Sequence, residues 1–231
     1  PFEKKYFDKE NIQSTFTGHP LLEDQEKSKI DISQIIKNHK KIISIFPGSR
    51  QSEINILLPI LIGFIKMMNE KYKDVFYVFH STSEHNKLTQ DRLIKEGFNN
   101  CGSICDEKIK SQILKSSIFA VSKSGTISLE ICNAKVPSII IYKINSINFF
   151  IVKMLVKVKF ANIINIAADE EVIPELLQSN CNSKNIFDTV DMLFEDKQSL
   201  KKQVDKTQKI ITNFKTYQSS EIAVSVLTNS L

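Results

Sequence analysis

Short apolar runs alternate with longer amphipathic segments along the first two thirds of the chain. Four runs have the length and continuous hydrophobicity of buried parallel strands: Ile42–Phe46, Val75–Phe79, Ile118–Val121 and Pro137–Tyr142. Between them, apolar side chains recur every three or four residues, which predicts helices over 53–72, 88–96, 108–116 and 127–133. This alternation predicts an α/β fold with a Rossmann-like parallel sheet flanked by helices, in which ligands bind at the carboxyl ends of the strands.

The two ends of the chain have a more polar pattern. Residues 1–41 are predicted to form a lead-in that contains a short polar helix over 28–40. The lead-in also has a sharp turn at Gly18-His19-Pro20, where His19 either fixes the turn or donates a hydrogen bond to a phosphate or sugar. Beyond residue 183 the pattern predicts charged helices over 186–194, 199–214 and 221–227. We therefore expect a lead-in at 1–41, a Rossmann-like domain at 42–198 and a helical C-terminal tail at 199–231.

The composition is that of a packed globular protein. Of the 231 residues, 42% are hydrophobic and 25% are charged. The net charge of +5 favours a phosphorylated ligand or an anionic membrane surface. Nucleic acid is not predicted as a partner, because the lysines are not interleaved with aromatic residues. No signal peptide and no apolar run of about 18 residues is evident, so no membrane span is predicted.

Cysteine and histidine spacing indicates neither disulfides nor a metal site. The four cysteines lack paired CxxC spacing and do not complete a zinc pattern with the four histidines. We therefore expect unreactive thiols in a reducing cytosol, no metal and no cofactor. The chain begins at Pro1 rather than Met, which leads us to expect a fragment, a processed product or half of a larger enzyme.

The first candidate site follows the first predicted strand, at Pro47-Gly48-Ser49-Arg50. A strand, a tight turn and a helix in this order place backbone N–H groups at a helix N-terminus, where an anion such as a diphosphate is stabilised. Gly48 allows close approach, and Arg50 can add a bidentate phosphate contact. The alternative is a purely structural turn with a solvated arginine.

The second candidate site repeats this chemistry after the third predicted strand, at Ser124-Gly125-Thr126. Its hydroxyl and amide groups lie at the start of a predicted helix, and Glu130 falls one turn into that helix. A carboxylate at that position can accept hydrogen bonds from two adjacent ribose hydroxyls while the amides hold phosphate. Alternatively, Ser124 or Thr126 caps the helix and Glu130 is its capping partner.

The most apolar stretch is Asn145 to Phe160, which is interrupted by three lysines. Its apolar positions exceed what one core-facing stripe needs. The lysines suit lipid phosphates and the aromatic residues suit the membrane interface, so peripheral contact with an anionic inner membrane is one interpretation. An ordinary buried helix is the other.

The order of these motifs resembles the carboxyl-terminal portion of the lipid-A-disaccharide synthase family. The matching motifs are PFE, TGHPLL, FPGSRQSEI, SGTISLE, VPSIIIYK, FFIVKMLVKVKF, ANIIN and PELLQ, which run from Pro1 to about Gln178. The resemblance implies the donor-binding half of a metal-independent GT-B glycosyltransferase, peripheral to the inner membrane of Gram-negative bacteria. Such an enzyme transfers a diacylated glucosamine from its UDP-sugar to lipid X, which forms lipid A disaccharide and releases UDP.

The resemblance also implies roles for individual residues. Gly48, Ser49 and Arg50 would face the diphosphate, and Arg50 would stabilise the leaving charge. Phosphate and ribose would contact Ser124, Gly125, Thr126 and Glu130. The uracil or sugar end would contact Tyr142, Asn165, Glu175 and Gln178.

By this resemblance, the chain needs a partner for catalysis. An N-terminal half of the enzyme would supply the acceptor pocket and the general base, and the final helices would pack on it; a homo-oligomer is also possible. Two alternatives remain. One is a related GT-B transferase that adds N-acetylglucosamine to lipid-linked muramyl peptide, although such enzymes usually have more glycine-rich donor loops than a chain with 6 glycines. The other is a nucleotide-binding remnant without catalysis.

Overall fold

A six-stranded parallel sheet forms the centre of the protein. The computed structural model describes residues 3–22, 32, 36, 41–145, 159–215 and 219–228. The strands are β1 (Lys41–Phe46), β2 (Val75–His80), β3 (Cys101–Ile104), β4 (Phe119–Lys123), β5 (Ser138–Tyr142) and β6 (Glu175–Leu177). Their order across the sheet is β3-β2-β1-β4-β5-β6. Because the order reverses beside β1, crossovers leave the sheet in opposite directions from β1 and β4, which opens a crevice at their carboxyl ends.

Helices alternate with the strands and cover the sheet, and further helices come after the last strand. The described part contains α1 (Lys4–Lys9), α2 (Gln51–Lys71), α3 (Ser83–Lys95), α4 (Glu107–Ser116), α5 (Ile127–Asn133), α6 (Ile163–Ala168), α7 (Ser183–Glu195), α8 (Lys197–Thr212) and α9 (Ser219–Thr228). Short 3-10 helices lie at Pro20–Leu22 and Gln178–Asn180. The predicted Rossmann-like sheet flanked by helices, with a helical C-terminal tail, is confirmed.

The largest part of the core lies between β1, β2 and β4 and the helices α2 and α7. Fully buried side chains on α2 follow the predicted three- and four-residue spacing and include Leu57, Leu61, Phe64 and Met68. They pack on strand residues such as Tyr77 in one cluster. By length and apolar composition α2 would also suit a membrane span, but this burial makes it a core helix.

Two of the six strands are not predicted by the hydrophobic pattern. The edge strand β3 contains glycine and serine and is only half-buried, while β6 has three residues. Both are held by parallel pairing with a longer neighbour, since Val78 of β2 pairs with Gly102 and Ile141 of β5 pairs with Leu176. These strands therefore owe their conformation to tertiary pairing rather than to local hydrophobicity.

Helix α8 packs on the sheet domain itself. Its Gln203 donates to the carbonyl oxygen of Ser138 (3.0 Å) and accepts from the amide of Ser138 (2.7 Å). Ile211 and Phe214 join a buried cluster that includes Leu22 of the lead-in. On α9, Val224 and Leu227 are exposed. The division of the chain at residues 41 and 198 stays a prediction.

Two sequence-based predictions lie outside the described residues. One is the polar helix over 28–40, of which only positions 32 and 36 are described. The other concerns the apolar stretch Asn145 to Phe160, because residues 146–158 are not described.

Candidate functional site

A cleft of about 470 Å³ opens at the carboxyl ends of β1, β2 and β4. Both predicted turns line it, so the sheet brings the two candidate sites together. The lining residues that the sequence predicted are Gly48, Ser49, Ser124, Gly125 and Thr126. Other side chains in the lining were not predicted, and the polar ones among them include Glu53, His80, Lys110 and Lys123. The cleft therefore carries more charge than the two motifs indicate.

The first turn is already occupied by a carboxylate from its own helix. The backbone N–H groups of Ser49 and Arg50 donate to Oε2 of Glu53, at 3.1 and 3.4 Å. This is the contact that a carboxylate at the third helical position makes with a helix start. These two amides, which the sequence pattern assigned to a bound anion, are therefore already paired within the chain. The close approach that Gly48 allows, with φ of +108°, is to the Glu53 side chain.

Gly48→Ala is expected to lower the free energy of unfolding by about 1 to 3 kcal/mol. Alanine disfavours this positive φ, and its Cβ would overlap the Glu53 carboxylate. Gly125→Ala is the matched control, because a Cβ there meets nothing within 4 Å and we expect a change within about 0.5 kcal/mol. Urea denaturation of both variants would check this, and equal losses would contradict the assigned role of Gly48.

Lys123, the last residue of β4, is the cation that holds Glu53. Its Nζ lies 3.0 Å from Oε1 of Glu53 and 5.4 Å from the centre of the Tyr142 ring. Burial raises the pKa of Glu53, but the hydrogen bond and charge of Lys123 and the amides of Ser49 and Arg50 outweigh it, so the pKa lies below 4.5. Tyr142 is therefore not a lining residue itself, but it contacts a lysine that lines the cleft.

Arg50 projects from the same turn but is loosely held. Its side chain is 78% exposed, and Nη1 lies 3.6 Å from Oε1 of Glu53. Such a long, exposed contact contributes little to stability. The guanidinium is therefore able to reorient toward a ligand without loss of a strong interaction within the chain.

The second turn is held by the loop that precedes α6. Ser124 Oγ donates to the carbonyl oxygen of Ala161 at 2.7 Å. Thr126 is the residue before α5, yet it has helical backbone angles and its side chain makes no capping hydrogen bond with the described residues. Glu130 pairs with Lys110 of α4, Oε2 to Nζ at 3.1 Å. The capping interpretation of these residues is therefore wrong.

Lys110 is the second partly buried cation of the cleft. Its side chain is 16% exposed and contacts both Glu107 and Glu130. Burial lowers the pKa of Lys110, but the hydrogen bond that Lys110 donates to Glu107 and the charge of Glu130 reverse the shift and raise it. Lys110 therefore stays protonated. It belongs to a polar helix pattern, so no sequence signal distinguished it from the surface lysines.

Asn165 and Glu175 lie outside the cleft lining, and their side chains form hydrogen bonds with backbone groups. Asn165 is fully buried; its Oδ1 accepts from the amides of Val172 and Ile173, each at 2.9 Å, and its Nδ2 donates to the carbonyl oxygen of Ile173 at 2.7 Å. Oε2 of Glu175 accepts from the Ala161 amide at 2.8 Å. Glu175 therefore holds the loop to which Ser124 is bound, and Asn165 holds the segment before β6.

Gln178 and His19 also lie away from the cleft lining. Gln178 has a positive φ of +53° at the start of its 3-10 helix, and its Nε2 is buried without a partner among the described residues. In the lead-in, His19 donates its amide to the carbonyl oxygen of Phe214 at 3.0 Å, and its Nδ1 accepts from the Leu21 amide at 3.3 Å. These contacts support the interpretation that His19 fixes the turn.

His80 is a lining residue that the sequence reasoning missed. It is the last residue of β2, and its ring stacks on that of Phe46 with centroids 4.3 Å apart. The available signal was a histidine at the carboxyl end of a continuously apolar strand. Among the described residues, no group of three His, Cys, Asp or Glu side chains is arranged to hold a metal ion.

Comparison with known proteins identifies the family. Residues 1–227 match lipid-A-disaccharide synthetase, and the chain is 33% identical over 216 residues to the lipid-A-disaccharide synthase of Rickettsia bellii. The chain belongs to the lipid-A-disaccharide synthase family. The match covers 91% of this chain and 56% of the R. bellii protein. For the Rickettsia canadensis family member, the identity is 34%, with 98% of this chain and 60% of the relative covered.

The chain thus spans somewhat more than half the length of the curated family members it matches. Solved structures of lower identity share its fold. The structure titled as an S. aureus MnaA-UDP co-structure has a TM-score of 0.64 at 14% identity and covers 93% of this chain and 52% of its own. The C-terminal domain of a group 1 glycosyl transferase from Francisella tularensis has a TM-score of 0.52 at 16% identity, with 87% and 97% covered. The chain therefore has the fold of one Rossmann-like half of the GT-B architecture.

Proposed function

We propose that this chain forms the UDP-sugar-binding part of a lipid-A-disaccharide synthase. The observation that carries the proposal is the cleft at the sheet edge, where two strand-turn-helix junctions meet two partly buried lysines. A nucleoside diphosphate is an anion of matching size and charge for such a cleft. Family membership and a relative of similar fold whose title names UDP support this assignment.

In the proposed reaction, the anomeric carbon of diacylated glucosamine loses its bond to the UDP oxygen and gains a bond to a hydroxyl oxygen of lipid X. The negative charge then develops on the departing diphosphate, so fixed positive charge nearby lowers the barrier. Lys110 and Lys123 line the cleft, and Arg50, which is not a lining residue itself, projects from the first turn beside it. They would stabilise the leaving group in the manner of a metal-independent transferase.

The occupied amides of the first turn refine how the diphosphate would bind. Glu53 already accepts from the Ser49 and Arg50 amides, so we assign the diphosphate to the Arg50 guanidinium and the Ser49 side chain, with Gly48 keeping the turn close to Glu53. At the other turn, Ser124, Gly125 and Thr126 would border phosphate and ribose. Glu130, once released in part from Lys110, would accept from ribose hydroxyls.

The acceptor hydroxyl must also lose a proton, and we assign no residue of this chain to that step. We propose that the lipid acceptor site and the general base lie in the part of the family members that this chain does not match.

A cytoplasmic location peripheral to the inner membrane, with contact through Asn145 to Phe160, stays a prediction. Co-sedimentation with anionic phospholipid vesicles would test it, and equal recovery with neutral vesicles would contradict it.

The Arg50→Ala variant is expected to bind UDP about 10- to 100-fold more weakly than the unchanged chain, as loss of charged hydrogen bonds to a diphosphate predicts. Isothermal calorimetry with UDP measures this directly. Since Arg50 is 78% exposed and weakly paired, its removal should leave the fold unchanged. Absence of UDP binding, or binding unaffected by Arg50→Ala, would contradict the proposed donor site.

Arg92→Ala is the matched control for this measurement. Arg92 is the other arginine of the chain; it lies on α3 rather than on either turn, and pairs with Glu96 at 3.3 Å. We expect its removal to leave UDP affinity unchanged.

Complementation of a strain deficient in lipid A disaccharide synthesis separates a catalytic assembly from a nucleotide-binding remnant, because a remnant binds UDP without rescue.

A further inference from the structure

His80 lines the cleft and has a buried ring nitrogen, Nδ1, that lacks a hydrogen-bond partner among the described residues. The residue is 7% exposed and is counted among the lining residues. Its Nε2 lies 2.9 Å from Ser44 Oγ, inside the sheet. Its other ring nitrogen, Nδ1, is buried and has no hydrogen-bond partner among the described residues. A buried polar atom without a partner costs free energy, so a hydrogen-bond donor that reached Nδ1 would be stabilised there.

A chain of hydroxyl groups determines which nitrogen of His80 carries the proton. Ser117 Oγ donates its one proton to the carbonyl oxygen of Ile113 at 2.8 Å. Ser44 Oγ, 2.8 Å from Ser117 Oγ, must therefore be the donor in that pair. Ser44 then has only lone pairs for His80, so Nε2 of His80 is the donor in the remaining hydrogen bond.

The imidazole is consequently held as the neutral tautomer with a lone pair on Nδ1. Burial, with a further contribution from the charge of Lys110, lowers the pKa of His80 to about 3. At neutral pH, Nδ1 can therefore accept a hydrogen bond but cannot donate one. A phosphate oxygen, which is itself an acceptor, does not fit this position.

We propose that Nδ1 of His80 accepts a hydrogen bond from the nucleoside of the bound UDP-sugar, through the uracil N3–H or a ribose hydroxyl. This inference rests on the proposed function and extends it to the orientation of the donor. Arg50 attracts the diphosphate, whereas His80 admits only a hydrogen-bond donor. Arg50 would thus contact the diphosphate end of the ligand, and His80 would contact its nucleoside end.

The first test is the ¹⁵N signal of His80 in the chain labelled at histidine. An unprotonated Nδ1 resonates far from a protonated one, and we expect its signal to shift toward lower frequency when saturating UDP is added. The four histidines are resolved by comparison with the His80→Gln variant. The signals of His19 and His85 serve as internal controls, because neither residue belongs to the cleft lining.

A matched pair of variants separates an acceptor role from a structural one. His80→Gln places its amide where Nε2 lies, so it keeps the contact to Ser44 but removes the acceptor at Nδ1. His80→Asn places its amide near Nδ1, where its carbonyl oxygen accepts in place of the ring nitrogen. We expect His80→Gln to weaken UDP binding about 3- to 10-fold and His80→Asn to weaken it less. Equal weakening by both would overturn the proposal.

Two UDP analogues identify the donor. N3-methyl-UDP lacks the base N–H, and 2′-deoxy-UDP lacks one ribose hydroxyl. The analogue without the relevant donor should bind the unchanged chain and His80→Gln with equal affinity. If UDP binds but the Nδ1 signal does not move, the His80 assignment fails while the donor site stands. If UDP does not bind at all, the proposed function fails.

Discussion

Asn165→Ala is expected to lower the free energy of unfolding by about 3 to 5 kcal/mol. Four hydrogen bonds converge on this fully buried amide, two of them from the backbone N–H groups of Val172 and Ile173. The others run from Nδ2 to the Ile173 carbonyl oxygen and to Oε1 of Glu175. Alanine leaves these groups buried without partners and creates a cavity. Chemical denaturation monitored by circular dichroism gives the difference.

Asn55→Ala is the matched control for Asn165→Ala. Asn55 lies exposed on α2, and its Oδ1 accepts from Gln51 Nε2 at 2.7 Å, so we expect a change within about 0.5 kcal/mol. A loss below about 1 kcal/mol for Asn165→Ala would contradict the role of Asn165 as the fastener of the loop before β6. That role differs from the ligand contact which the sequence resemblance implies, and UDP titration of the variant tests the latter separately.

Glu53→Gln is expected to destabilise the fold by about 2 to 3 kcal/mol at pH 7. The glutamine side chain still accepts from the first turn but leaves the Lys123 ammonium, 3.0 Å from the lost charge, without its anion. Urea denaturation of both proteins over a range of pH measures this difference. Glu70→Gln, an exposed position on the same helix, is the control and should change stability little.

The effect of Glu53→Gln depends on pH in a defined direction. Because the folded chain lowers the pKa of Glu53 below the usual 4.5, folding favours its ionised form. The stabilisation is therefore complete above about pH 5 and is lost as the pH falls through the lowered pKa. The difference between the unchanged chain and Glu53→Gln should shrink over that acidic interval. A difference that grows on acidification would contradict the Glu53–Lys123 pair.

The hydrophobic pattern was sufficient to predict the strands and helices that bury continuous apolar surface. β1, β2, β4 and β5 lie within one or two residues of their predicted bounds, as does α2. The pattern failed for β3 and β6, because the former is polar and half-buried and the latter has three residues. Their backbone conformation comes from pairing with a neighbouring strand, which local composition does not encode.

The candidate site shows a similar division. Two turns could be predicted because Gly, Ser and Thr after a buried strand have a local structural signature. Glu53, Lys110 and Lys123 carried no such signature, since each resembles a surface charge in sequence. Only packing buries Glu53, aligns Lys123 of β4 with it and directs Lys110 of α4 toward Glu130.

The sequence by itself determined the family, the parallel α/β fold and the edge of the sheet at which the candidate site lies, because motif order and hydrophobic periodicity are properties of the chain. The tertiary structure decided which polar atoms remain available to a ligand. It showed that Glu53 occupies the first turn, that Asn165 is committed to the backbone and that Nδ1 of His80 lacks a partner within the described residues. The physical reason is that hydrogen-bond saturation and pKa depend on neighbours that are distant in sequence.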